Sequence, residues 1–265
     1  MKISIVVPAL EVGNLSNFEE NVRKVSELGY DGIELNIRDP KKLDPKKILE
    51  IISVYGLSVC SLLTGRAFSV DGLSLTHFDD KVRDLSIKRV QDAISFASAF
   101  SAMVLIGWIR GNWGTNKART RARKLFIDAL QVCGKFAEDR GVLLGIEPIN
   151  RYEIDSIHTI DEAVAILEEV ALPNIGVVAD TFHMNIEENE PIYKSIRRCG
   201  NHLFHVHVAD NNRKPPGAGH LPFKKFFKAL NEMKYKRFVS VEVVPCLPDF
   251  KSVAEKSIKY LRRLM

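Results

Sequence analysis

Short apolar runs rich in β-branched residues alternate along the chain with longer segments whose apolar positions recur at helical spacing. That alternation is the pattern of repeated strand–helix units around a parallel sheet. Eight runs are predicted as strands, at 3–7, 32–36, 57–63, 103–106, 143–147, 175–180, 204–208 and 238–243. Between them, 17–27, 45–55, 81–100, 118–140, 160–169, 191–198, 223–233 and 250–264 carry apolar faces at helical period. Parallel strands need crossover connections, and eight of them bury both sheet edges by closing on themselves. The expected architecture is therefore α/β, a single (β/α)8 TIM barrel domain over residues 1–265, and the length suits one such barrel.

Four of the apolar runs in the C-terminal half end in a residue that a buried strand normally avoids. Val142-Leu143-Leu144-Gly145-Ile146 runs into Glu147, and Asn174-Ile175-Gly176-Val177-Val178-Ala179 runs into Asp180. Phe238-Val239-Ser240-Val241 runs into Glu242, and the run around Val206 carries His205 and His207 before Asp210 and Arg213. In a barrel, one carboxylate or imidazole at each of four successive strand ends points at a single place on the axis, which makes Glu147, Asp180, His207 and Glu242 a candidate metal-ligand set. The two-residue period of a strand puts His205 on the same face as His207, so spacing alone leaves His205 open as the ligand. Three carboxylates and one imidazole are a hard, oxygen-rich donor set suited to one divalent ion, Mn²⁺, Mg²⁺ or Co²⁺. A cation would also relieve three converging carboxylates of their mutual repulsion. Glu153, His183 and Arg213 follow these ligands by six, three and six residues, in the loops expected just above them, and are candidates for holding a polyhydroxylated substrate. Trp108 and Trp113, in the glycine-rich stretch after the fourth strand, are expected either to wall that pocket or to pack beneath a long loop.

Composition narrows the partners. Hydrophobic content of 46% and charged content of 27% are ordinary for a globular protein. No apolar run approaches the roughly 18 residues that a membrane helix needs, and residues 3–10 read as a first strand rather than a signal peptide. A cytoplasmic location without membrane association is expected. The net charge of +5 is scattered over the predicted helices in short runs such as Lys41-Lys42 and Arg197-Arg198, which argues against nucleic-acid binding. Cys60, Cys133, Cys199 and Cys246 lie far apart with no CxxC, a spacing that fits free thiols rather than a zinc cluster or a disulfide framework.

The chain resembles the ketose 3-epimerases of the D-tagatose 3-epimerase type, within the xylose-isomerase-like barrel superfamily. The resemblance rests on Glu147-Pro148-Ile149-Asn150-Arg151-Tyr152-Glu153, on Asp180-Thr181-Phe182-His183-Met184-Asn185-Ile186-Glu187-Glu188, on His207 to Gly219 with its Asn212-Arg213, and on Glu242. It covers the C-terminal half strongly, and the N-terminal half only in pattern. It implies that Glu147, Asp180, His207 and Glu242 hold a divalent metal, commonly Mn²⁺, and that Glu153, His183 and Arg213 contact the sugar. The placing of Arg213 six residues and Glu242 35 residues after His207 is the spacing expected of that family, and favours His207 over His205 as the ligand. It also implies a small-molecule ketose substrate and a homodimer or homotetramer.

Under this resemblance the expected reaction is epimerisation of a free ketose at C3 through a metal-stabilised enediolate, with Glu147 and Glu242 as the acid/base pair on opposite faces of C3. The alternatives on the same scaffold are an aldose–ketose or hydroxypyruvate isomerase and a keto-inositol isomerase or dehydratase. A more distant one is a metal-dependent endonuclease, which needs more metal ligands on the early strands. Glu34 and His77 are not expected to assemble such a set.

Overall fold

Each strand pairs in parallel with its sequence neighbour, and the eighth returns to the first. β1 (Lys2–Val6), β2 (Gly32–Asn36), β3 (Ser58–Leu63), β4 (Met103–Ile106), β5 (Leu144–Ile146), β6 (Ile175–Asp180), β7 (Leu203–Val208) and β8 (Phe238–Val241) form one closed barrel in that order. This computed structural model describes residues 1–265, the side chain of Val12 excepted. The (β/α)8 expectation is met, with strand limits within two residues of those read from the sequence.

The long amphipathic segments are α1 (Leu15–Glu27), α2 (Pro45–Val54), α4 (Asp80–Ser98), α5 (Asn116–Glu138), α6 (Ile160–Val170), α8 (Ile192–Cys199), α9 (Phe223–Glu232) and α10 (Phe250–Leu261). Two short helices stand where loops are expected, α3 (Gly65–Ser69) and α7 (Thr181–Glu187). The second has a local cause: Asp180, the last residue of β6, caps it by accepting the Phe182 N–H at 2.8 Å. Side-chain caps start other helices too: Asp44 on α2, Asp79 on α4, and at α6 a reciprocal pair of Thr159 and Glu162.

Alternation along the strands separates two environments. Val104, Ile106, Val177, Ala179, Val206 and Val208 join the large core between sheet and helices. On the alternate positions Met103, Leu105 and Val178 form, with Phe204, a separate small apolar cluster. Ser4, Glu34, Ser61, His205, His207 and Ser240 are equally buried, so the strands carry a polar set against the small cluster. Glu34, Ser61, His205 and His207 bond one another, which offsets the cost of their burial, whereas the Ser240 hydroxyl has no protein partner. No helix is long and apolar enough to cross a membrane. All four cysteines are free thiols.

Candidate active site

Glu147, Asp180, His207 and Glu242, at the ends of β5, β6, β7 and β8, come together as the strand ends require. One ligand atom from each lies within 4.8 Å of the others, and all four residues are buried. His207 Nδ1 stands 3.0 Å from Glu147 Oε1 and 3.3 Å from Glu242 Oε2, so the two glutamates flank one imidazole nitrogen. The Glu147 N–H bonds to the Ile106 carbonyl and the Glu242 N–H to the Val208 carbonyl, which extends the parallel pairing up to both carboxylates.

Arg213 closes the group from the loop after β7. Its Nη1 donates to Asp180 Oδ2 at 2.9 Å and its Nη2 to Glu242 Oε2 at 2.9 Å, and its guanidinium stacks 4.6 Å over the Phe182 ring. Arg213 lies in the loop after β7, where the sequence placed it, and is in direct contact with two of the ligands. Burial alone would raise the Glu242 carboxyl, but His207 and then Arg213 outweigh it and hold the group at about 2. Burial opposes a charged His207, yet the charges of Glu34 and Glu242 and the bonds to Glu147 and Glu242 carry it well above the ordinary histidine range.

His183 lies in α7 rather than in a loop, because the Asp180 cap starts the helix at once and swings residue 183 back over the carboxylates. Its Nε2 is 3.5 Å from Asp180 Oδ2 and 3.3 Å from Arg213 Nη1. Its Nδ1 lies 2.8 Å from Asn150 Nδ2, which also donates to Glu153 Oε1 at 2.9 Å. Glu153 is exposed and joins the four ligands only through this Asn150–His183 link.

One residue of this neighbourhood, Arg110, carried no signal on its own. Arg110, fully buried in the turn after β4, spends its whole guanidinium on oxygen atoms of two loops. It donates to the carbonyls of Gly107, Glu147, Ser156 and Ile157 and to the Ser156 hydroxyl, with 2.7 Å to Glu147. Burial draws this guanidinium down to about 10, so it stays charged at neutral pH and pins the backbone beneath Glu147. Trp113 packs in the core against Phe126, and Trp108 is half-buried beside Gly65. Glu34 gathers with His205 and His207 of β7 rather than with potential metal ligands from the early strands, whereas the His77 ring accepts the Asp79 N–H before α4. The signal for Glu34 was a lone acid inside the apolar run 32–36.

The donor chemistry fits a divalent cation: three buried carboxylates and one imidazole nitrogen converge without any thiolate among them. The profile of the Xylose isomerase-like TIM barrel family matches residues 22–264. The chain is 31% identical over 216 residues to the L-ribulose 3-epimerase of Methylomonas sp. (strain DH-1), covering 81% of this chain and 74% of that one. Among solved structures, the D-allulose 3-epimerase of Methylomonas sp. in complex with D-allulose superposes with a TM-score of 0.86 at 25% identity, covering 100% of this chain and 97% of that one. The 3-keto-D-glucoside 4-epimerase of E. coli gives 0.85 at 26% identity, with 99% of both chains covered. The chain belongs to the xylose isomerase-like TIM barrel family and is an isomerase-class enzyme of the sugar-epimerase kind.

Proposed function

We propose that this protein epimerises a free ketose at C3 with one divalent metal ion, Mn²⁺ in preference to Mg²⁺ or Co²⁺, held by Glu147, Asp180, His207 and Glu242. The observation that carries the reading is the pair of buried glutamates flanking His207 Nδ1 beside the Asp180 carboxylate. A metal bound there supplies Lewis-acid stabilisation of the negative charge that develops on the ketose oxygens. Inversion at C3 needs a base on each face of the carbon. One glutamate takes the C3 proton, the electron pair of the broken C–H bond moves toward the C2 carbonyl, and the other glutamate returns a proton to the opposite face. Glu147 and Glu242 exchange roles in the reverse reaction. His183 and Arg213 bind the C1 to C3 oxygens, and Glu153 acts through Asn150 on His183.

Glu242→Gln tests the assignment. The amide keeps the volume and an oxygen donor but accepts no proton, so kcat is expected to fall by about 10³ or more while the protein still melts cooperatively. Turnover within a few-fold of wild type would remove Glu242 from the acid/base pair.

A further inference from the structure

Beneath the four-residue cluster, three strands around the barrel from β7, stands a carboxylate to which neither the fold nor the proposed reaction gives a task. Glu34 on β2 is fully buried. Its Oε1 lies 2.7 Å from His205 Nε2 and its Oε2 lies 3.2 Å from His207 Nε2, and Ser61 on β3 donates its hydroxyl to Oε2. Glu34 thus grips the ring nitrogen of His207 that faces away from Glu147 and Glu242. His205, whose ring stands edge-on to His207 at 5.1 Å between centroids, occupies the other oxygen.

We propose that Glu34 is a positioning residue for the metal centre: it accepts the His207 Nε2–H and so presents the Nδ1 lone pair to the ion. An imidazole has two nitrogens, and the partner of one decides which is left to ligate. A buried carboxylate behind a ligating histidine fixes both tautomer and ring angle, and makes the ligand more basic. His205 and Ser61 do the same one step further back, because a Glu34 carboxylate with all of its partners engaged cannot turn away from His207. A purely structural need would be met as well by apolar residues of similar volume, since burying a charge costs more than a packed core. The resting place of this acid, directly behind a ligand, supplies the reason for keeping it.

The inference rests on the metal reading above, and the test separates the two. Mn²⁺ is titrated into metal-free wild type, Glu34→Ala and Glu34→Gln, with the free ion followed by EPR and folding by thermal melts. The expected result is a Kd for Mn²⁺ raised about 10- to 100-fold in Glu34→Ala. Glu34→Gln, whose amide oxygen still accepts the Nε2–H, recovers part of that loss although it melts no higher than Glu34→Ala. If Glu34→Ala does not fold, the isosteric Gln variant carries the test, with a Kd raised toward the lower end of that range. Unchanged Mn²⁺ affinity in a folded variant, with only the melting temperature lowered, would overturn the positioning role and leave the metal reading standing. Absence of binding by wild type would overturn both.

Discussion

At Glu242 three physical effects act on one carboxylate: burial favours the neutral acid, and the adjacent His207 and Arg213 favour the anion and win. The folded-state value of about 2 lies below the ordinary 4.5, so this group stabilises the fold fully above about 4.5 and loses that contribution as pH falls through about 2. The urea midpoint of the metal-free protein is expected to drop over that window, and to drop less steeply in Glu242→Gln. Equal slopes in the two proteins would mean that other carboxylates carry the acid sensitivity. Arg110 shows the same competition without a carboxylate partner, since its six bonds all go to backbone carbonyls and one hydroxyl. Arg110→Met takes this donor away from the buried Glu147 and Ser156 carbonyls, and is expected to destabilise the protein by on the order of 3 kcal/mol in urea unfolding. A loss below about 0.5 kcal/mol, the ordinary size of a surface substitution, would show that the two loops hold each other without it.

At the scale of elements, the site is a consequence of where strands stop. Glu147, Asp180, His207 and Glu242 were readable because each ends an apolar run, and a barrel brings successive strand ends to one mouth. His183 was expected in a loop, since the stretch after Asp180 is short and carries no long apolar period; the Asp180 cap turns it into α7. Arg110 was hidden for a different reason, because its bonds run between loops whose approach no local pattern encodes, and the link from Asn150 to His183 on α7 depends on the same kind of approach. Glu34 was hidden by distance: it meets His205 and His207 only because β2 and β7 are wrapped into one barrel, 171 and 173 residues apart in sequence. The turn after β4 adds a constraint at Gly107, where a Cβ would lie 3.0 Å from Glu147 Oε2 and 3.4 Å from the Ile149 side chain. Gly107→Ala is expected to displace the Glu147 carboxylate and lower kcat on the order of ten- to a hundredfold with little change in melting temperature. Unaltered kcat in that variant would show that the carboxylate has room to yield.

For the whole molecule, closure of the sheet does what no single element can. It brings acids and histidines from β2, β5, β6, β7 and β8 into one buried set and leaves the remaining alternate positions to a small apolar cluster. Strand order and closure followed from strict alternation in the sequence, whereas the chemistry of the interior depended on contacts across the barrel. The central claim is proton exchange at one carbon, inverted between two glutamates, and it is tested most directly by NMR of the Mn²⁺-loaded protein in D₂O with a panel of free ketoses. Deuterium entering at C3 together with the C3 epimer, and both lost on chelation, is the predicted result. Deuterium at C1 with aldose formation, exchange at C4 of a 3-keto sugar in place of C3, or no exchange with any ketose would contradict it.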